Sequence, residues 1–401
     1  MRSVEEHRAA VLSLVSPLPP VSVGLSESLG RVLAADIAAA VDLPGFDNSA
    51  MDGYAVRAAD LAGAAPGSPV VVEVDGDIPA GDTRHHELRP GAAMRIMTGA
   101  PMPAGADAVV PVEESDGGVE RATLTLAPAV GRHVRRQGED VRSGDVVLRA
   151  GTRVTPGRLA LLAAANVPDV LVAPRPRVHV LSTGDELVPV GGHLEHGRIV
   201  DSNGAMLAAL VRAGGGELVG VGHLDDDPGA WTGLFDVDDS GTDLYLTTGG
   251  VSMGAYDTVK EVLSRTGGVE FTKVAMRPGM PQGAGVVGPR RTPIITLPGN
   301  PVSSFVSFHV FVLPALRALA GLDPAAGATD AVAAQGWSSV PGKVELTRVV
   351  LDGDGARPSG GQGSHMLGAL ADATHLAVVD AATTEVRQGD PVRLIPLVGQ
   401  D

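Results

Sequence analysis

The chain has 401 residues, 44% apolar but only 3% aromatic, so its cores are built from Val, Leu, Ile and Ala, and its length anticipates two to four domains at roughly 150 residues each. With 47 acidic and 31 basic residues the formal charge is −16, which excludes a nucleic-acid footprint and makes any anion site a local exception to the bulk field. There is no Cys, hence no disulfide, thiolate metal site or Cys nucleophile; no apolar leader and no run of ~20 apolar residues appears, so the expectation is a soluble cytoplasmic protein that neither spans nor binds a membrane.

In chain order, Ser3-Val4-Glu5-Glu6 is a capping box that predicts a helix to about Val15, ended by Pro17, Pro19 and Pro20. A second helical stretch is expected near Ser26 to Leu33. From Leu43 to about Gly138 short β-rich runs (Val70 to Val74, Ala122 to Leu126) alternate with Gly and Pro, as in a β domain inserted into the N-terminal unit. Thr155-Pro156 opens a helix, with Thr as cap and Pro at its first position. From Pro176 strands and helices alternate. Strands are expected at Val178 to Leu181, Leu218 to Gly222, Leu244 to Thr247 and Ile294 to Leu297. Helices are expected from Asp201-Ser202-Asn203 to Gly214, over Asp257 to Arg265, and from Pro301 to about Ala320. That alternation predicts a mostly parallel sheet covered on both faces, over residues 175 to 322. The tail returns to strands (Val344 to Leu351, Leu376 to Val379, Val392 to Leu397), as in a small barrel or sandwich.

Four segments exceed ordinary turns. Asp47-Asn48-Ser49-Ala50-Met51-Asp52-Gly53-Tyr54-Ala55 sets two acids around small residues; a shorter run would read as an Asx-rich turn. Ser182-Thr183-Gly184-Asp185-Glu186-Leu187 follows a strand, where open parallel sheets bind ligands. Its hydroxyls and amides suit an anion, and its adjacent carboxylates suit Mg²⁺. Thr247-Thr248-Gly249-Gly250-Val251-Ser252-Met253-Gly254, with Asp257 beyond, reads as a phosphate-binding turn without a Walker lysine. In Leu297-Pro298-Gly299-Asn300-Pro301-Val302-Ser303, Asn300 as cap and Pro301 at the first helical position have a purely structural explanation. It is nonetheless the third polar, Gly-rich strand-to-helix turn expected at one sheet edge. Lys273 and Arg277 lie between the last two turns and can supply local positive charge; isolated basic residues are more often just solvated. Lysine is scarce: Lys260, Lys273 and Lys343 are the only ones.

Taken together, these runs resemble the molybdopterin molybdenumtransferase family, which includes bacterial MoeA and the gephyrin E domain. The resemblance spans nearly the whole chain: FDNSAMDGYAV at 46 to 56, RIMTGAPMPAGADAVVPVE at 95 to 113, GED at 138 to 140, PRVHVLSTGDEL at 176 to 187, DSN at 201 to 203, TTGGVSMGAYD at 247 to 257, LPGNPVSS at 297 to 304 and GSHML at 363 to 367. It implies a multidomain α/β plus β fold. A helical linker domain is split between 1–43 and 139–174, and a β domain is inserted at 44–138. A three-layer α/β molybdopterin-binding domain follows at 175–322, then a C-terminal β barrel at 323–401.

The resemblance also implies an activity. The enzyme takes molybdate and adenylylated molybdopterin, inserts molybdenum and releases AMP, with Mg²⁺ held by Asp185, Glu186 and Asp257. Carried over position by position, Asp52, Thr98, Asp140, Glu186 and Asp257 fall on functional positions, with Asp225 a weaker one. Ser182, Thr183, Gly184, Asp185, Ser202, Asn203, Gly249, Gly250, Ser252, Lys273, Arg277, Pro298, Gly299, Asn300, Pro301 and Ser364 fall on substrate positions. An elongated homodimer is implied, with each site shared between the α/β domain of one subunit and the N-terminal domains of the other. Other cofactor-assembly proteins and apo-molybdoenzymes are the implied further partners. One departure stands out: the family often has Pro-Gly-Lys-Pro where this chain has Pro278-Gly279-Met280-Pro281, one positive charge fewer. The alternatives are a family member that serves as a protein scaffold without turnover, and the adenylyl transfer to molybdopterin. The second would leave three domains unexplained.

Overall fold

The structure is a computed structural model that describes residues 1–224, 234–235, 241–250, 263, 268–353 and 355–399. Contacts divide the chain into two compact units, Val21–Val172 and Met1–Pro20 with Ala173–Asp401. Helix α1 (Val4–Leu12) begins as expected: the Glu6 amide donates to Ser3 Oγ, and the Ser3 amide donates to the Glu6 carboxylate. It ends at Leu12, short of Val15, in a turn where Ser13 Oγ donates to Ala10 O. Its buried face, Val4, His7 and Val11, packs with the long helix of the α/β region, and His7 meets Phe311 edge-on at 4.7 Å between centroids. That buried stripe is why residues 1–20 belong with 173–401, whereas the sequence reading grouped them with 139–174.

In Val21–Val172, β1 (Val21–Gly24) leads into a single 3₁₀ turn, Leu25–Ser28, in place of the expected helix to Leu33. Ser28 Oγ closes the turn on Leu25 O, Gly30 takes φ 75°, and Leu33 leaves in extended form to bridge Val172. A five-stranded sheet follows, made of β2 (Gly53–Val56), β3 (Val70–Ile78), β4 (Ala92–Ile96), β5 (Ala108–Pro111) and β6 (Arg121–Leu124), in the order β5-β2-β4-β3-β6. Alternate residues of β2 face opposite cores, Tyr54 and Val56 on one side and Ala55 on the other. Gly53 is required by packing: a Cβ there would lie 2.1 Å from Val110 O. Helix α2 (Pro156–Ala164) is capped by Thr155, and β7 (Asp169–Val172) returns to pair with β1.

The α/β region contains β8 (Arg177–Thr183), α3 (Ser202–Ala213), β9 (Glu217–Leu224), β10 (Leu244–Thr248), β11 (Val269–Lys273), β12 (Pro281–Val287), β13 (Thr292–Leu297) and α4 (Pro301–Leu319). The sheet order is β9-β8-β10-β13-β12-β11; the first four strands are parallel, β12 runs antiparallel to β13, and β11, antiparallel to β12, runs with the first four. Val178, Val180, Leu246 and Ile295 pack with α3 and α4 on one face, and Leu181, Tyr245 and Ile294 pack with Phe235 and Leu263 on the other. Helix α4 spans 19 residues at mean hydropathy 1.6, long and apolar enough for a membrane, but it is 89% buried within the protein and is the central core helix. The expected helix at Asp257 to Arg265 lies outside the described residues apart from Leu263.

The tail holds β14 (Thr329–Val332), β15 (Val344–Asp352), β16 (Gly355–Pro358), β17 (His375–Val379) and β18 (Pro391–Pro396), ordered β16-β15-β17-β18-β14. A bridge between Ala333 and Ala356, with the Ala334 amide 2.8 Å from Ala356 O, joins the two edges. The sheet therefore closes as a barrel around Val349, Ala356, Ala377, Val392 and Leu394, which removes the open edges.

Candidate active site

Because β8, β10 and β13 run parallel, the turns after them open at one edge of the sheet, the ligand-binding edge of such folds. Their backbones nearly touch. A Cβ at Gly249, whose φ is +94°, would lie 2.5 Å from Thr183 O, and one at Gly299 would lie 3.4 Å from the Gly249 Cα. Asn203, in the first turn of α3, ties them together: its Nδ2 donates to Thr248 Oγ1 at 2.9 Å and to Gly299 O at 2.8 Å. Thr248 Oγ1 lies 2.9 Å from Ser304 Oγ, which donates to Pro298 O. Asp201 caps α3 by accepting from the Gly204 amide at 2.9 Å. Three buried polar atoms at this edge, Ser182 Oγ, Asn203 Oδ1 and Thr247 Oγ1, have no hydrogen-bond partner among the described residues. A buried polar group is costly to leave unpaired, so this edge is more polar than a packed core requires.

Asp185 and Glu186 stand exposed on the turn after β8. Gly184 makes the turn at φ +139°, and a Cβ there would strike the Glu186 carboxylate at 2.6 Å. Among the described residues neither carboxylate has a cationic partner, and no group of three metal-ligating side chains occurs. Asp257, the third expected metal ligand, lies outside the described residues together with Ser252 and Asp225.

The turn carrying Lys273 and Arg277 reaches the same edge. Strand β12 is antiparallel to β13 with Gly283 opposite Thr296, so β12 begins near the end of β13; β11 pairs Lys273 with Pro281 and so ends there too. Met276 and Arg277 then lie parallel against Val344 and Glu345 of β15, with Arg277 Nη1 4.0 Å from the Glu345 carboxylate. Inside the turn, Gln282 Nε2 holds Gly279 O at 2.7 Å and Ser307 Oγ at 2.6 Å. The barrel also contributes to this edge. Asn300 occupies the cap position of α4 but does not cap it; its Nδ2 donates to Ser364 Oγ at 3.0 Å. The structural explanation of Asn300 as a helix cap is thus replaced by a tie to the barrel.

In Val21–Val172 the structure joins Asp52 and Thr98: Asp52 Oδ1 accepts from the Thr98 amide at 2.6 Å and from its hydroxyl at 2.7 Å. These bonds, the backbone one first, hold the Asp52 carboxyl below the ordinary carboxylate range. Asp140 is exposed, and its amide donates to Leu43 O at 3.1 Å. The turn before it is fixed by two further acids. Asp47 accepts from Arg136 at 2.6 Å and the Gln137 amide at 2.8 Å, and Asp42 accepts from the Ser143 amide at 2.8 Å and Gln137 Nε2 at 2.7 Å.

The model of the MoeA N-terminal region (domains I and II) matches residues 2–166, that of the probable molybdopterin-binding domain matches 179–318, and that of the MoeA C-terminal region (domain IV) matches 330–397. A Mycobacterium tuberculosis protein named molybdopterin molybdenumtransferase 2 is 45% identical, over 98% of this chain and 99% of its own. The chain belongs to the MoeA family. A second MoeA relative, the molybdopterin molybdenumtransferase of Haemophilus influenzae, is 35% identical over 99% of this chain and 98% of its own. The crystal structure of the molybdopterin biosynthesis MoeA protein from Pyrococcus horikosii superposes at a TM-score of 0.84 with 31% identity, covering 99% of both chains.

Several residues of this MoeA fold escaped the sequence reading. Arg348 is 1% exposed; its guanidinium donates to Gly361 O, Gly363 O and Met366 O at 2.7, 3.2 and 3.0 Å, and so shapes the segment that presents Ser364. Burial holds its pKa below the usual arginine value, yet no carboxylate pairs with it among the described residues. The signal was available: one Arg within the apolar run VELTRVVL is a buried cation or an edge residue. Gln282 and Asp42 gave no comparable signal, because polar residues near turns are common.

Proposed function

We propose that this protein inserts molybdenum from molybdate into adenylylated molybdopterin and releases AMP. The observation that carries the reading is the single sheet edge where three Gly-rich turns converge beside buried polar atoms that have no partner among the described residues, and beside a turn bearing Lys273 and Arg277. Two anionic substrates must meet in a chain of formal charge −16, so binding has to be local. Backbone amides of the turns at Gly184, Gly249 and Gly299, with Ser182 and Asn203, hold the pterin and its phosphate. Lys273 and Arg277 orient the molybdate oxyanion, and fixed charges of this kind act strongest where water is excluded. Asp185 and Glu186, oxygen donors without a cationic partner, fit a hard divalent cation, and Asp257 would complete the set. Mg²⁺ held there would neutralise phosphate charge. Asp52, kept ionised by Thr98, acts as a fixed acceptor toward the substrate.

The reading keeps the four-segment division of the chain, a cytoplasmic setting and a homodimer whose subunits share each site. The deciding experiment is reconstitution in vitro with adenylylated molybdopterin, molybdate and Mg²⁺. AMP release that depends on molybdate is expected; its absence in a folded, pterin-binding preparation would refute the reading.

A further inference from the structure

We propose that Lys343, on the C-terminal barrel and seated against Met280, is a third cation of the oxyanion site. The inference rests on the functional reading above and adds a substrate-binding residue to it.

Three observations converge. The first is composition. The chain has only three lysines, Lys260, Lys273 and Lys343, and two of them flank one turn. Lys273 ends β11 beside that turn, and Lys343 directly precedes Val344, whose amide donates to Ala275 O at 2.9 Å and which pairs with Met276. The second is contact. Lys343 Nζ lies 3.6 Å from Met280 Sδ, so its ammonium stands over the turn that follows Arg277. A thioether is a weak acceptor and cannot neutralise an ammonium.

The third is the absence of a counter-charge. Among the described residues no carboxylate pairs with Lys343 or with Lys273, whereas Arg277 faces Glu345 at 4.0 Å. Lys343 is half-buried, so its charge is screened less than that of a fully exposed lysine. In a chain with 16 more acidic than basic residues, two unpaired ammonium groups at one turn fit a ligand that brings its own negative charge. The turn stands at the carboxyl edge of the sheet, beside the turns assigned to the pterin. A tetrahedral oxyanion with several acceptor oxygens is the ligand class that can use a flexible ammonium from each side.

The test uses the full-length protein and molybdate alone, by equilibrium dialysis, followed by molybdate titration of AMP release. Lys343→Met is expected to raise the dissociation constant and the half-saturating molybdate concentration about tenfold while leaving pterin affinity within about twofold, a loss of roughly 1.4 kcal/mol confined to the oxyanion. Adding Met280→Lys to that variant is expected to recover most of the loss, because the charge returns from the other side of the same contact. Unchanged molybdate binding in Lys343→Met overturns the assignment, as does an equal loss of molybdate and pterin affinity. Failure of Met280→Lys to rescue a folded Lys343→Met protein overturns the claim that the two positions share one charge. If the unmodified protein binds molybdate without ever releasing AMP, the functional reading fails while the dialysis comparison still decides on Lys343.

Discussion

In Val21–Val172 three acids, Asp42, Asp47 and Asp52, are tied down, while Asp140 is exposed. Asp52 accepts two hydrogen bonds from Thr98, Asp47 is held by Arg136 and the Gln137 amide, and Asp42 by the Ser143 amide and Gln137. In the unit formed by Met1–Pro20 and Ala173–Asp401, Asp185 and Glu186 have no such bonds among the described residues, and the groups without a partner there include two lysines and three buried oxygens. A carboxylate whose lone pairs are already engaged is a rigid acceptor of fixed charge. One without such bonds keeps its lone pairs free for solvent or a ligand. Similar side chains therefore suit opposite tasks, and the backbone around them makes the difference.

The largest effect should come from the free acids. Glu186→Gln keeps the shape of the side chain and removes its charge, so AMP release should fall by about 10²-fold or more with thermal stability unchanged. Asp52→Ala should be inactive as well, though for a different reason, the loss of a preset acceptor. If each site is shared between subunits, mixing the two variants and allowing exchange should restore up to about a quarter of normal activity, since half the dimers regain one intact site. Near-normal turnover of Glu186→Gln at saturating Mg²⁺ would end its role as a metal ligand. No recovery after verified exchange would end the shared-site model.

The two units should also differ in acid. His7, packed against α4, and His309, within it, are buried, and burial brings each pKa down to about 4. Their unfolded-state value is higher, so the unfolded chain binds more protons between the two, and stability is lost as pH falls from about 6.5 toward 4. Each histidine should cost about 2 kcal/mol at pH 5 relative to neutral pH. In Val21–Val172, Asp42, Asp47 and Asp52 have lowered pKa values, so their contribution is present above the ordinary Asp value and is lost only as pH falls below it. Hydrogen exchange on acidification to pH 5 should therefore open α1 and α4 before the five-stranded sheet, and His7→Phe should narrow the gap. Simultaneous opening of both units would contradict the contrast drawn here.

Much of this contrast could be read from the sequence, and the unread part has a physical pattern. The turns at 182–187, 247–250 and 297–303 were legible because Gly, hydroxyl and acid at a strand end have few other uses. The capping box at Ser3 and the Thr155-Pro156 start were legible because caps are local chemistry. The 3₁₀ turn at Leu25–Ser28 was misread as a helix because local propensity does not foresee Leu33 leaving to bridge Val172. The pairing of Asn300 with Ser364, the grip of Arg348 on the segment before Leu367, and the seat of Lys343 on Met280 join residues far apart in the chain. No window on the sequence contains both partners, so only the fold reveals them.

The smallest effect sharpens the comparison most. Asp52 is held ionised first by the Thr98 amide and then by the Thr98 hydroxyl. Thr98→Val deletes the hydroxyl and keeps the amide, so the main bond should survive and the Asp52 pKa should rise only part of the way to its ordinary value. The carboxylate is exposed, so water replaces the lost donor, and the rate at neutral pH should change by about threefold or less. The change should instead appear on the acidic limb of the pH–rate profile, which moves to higher pH because Asp52 now protonates sooner. Thr98→Ser keeps both donors and should leave the limb in place, separating the hydroxyl from the loss of a methyl group. A profile that shifts equally in the Val and Ser variants would mean that shape, not hydrogen bonding, governs Asp52. A profile unmoved in both would mean that the protonation of Asp52 does not limit the reaction, and its carboxylate would then join Asp47 and Asp42 as structural.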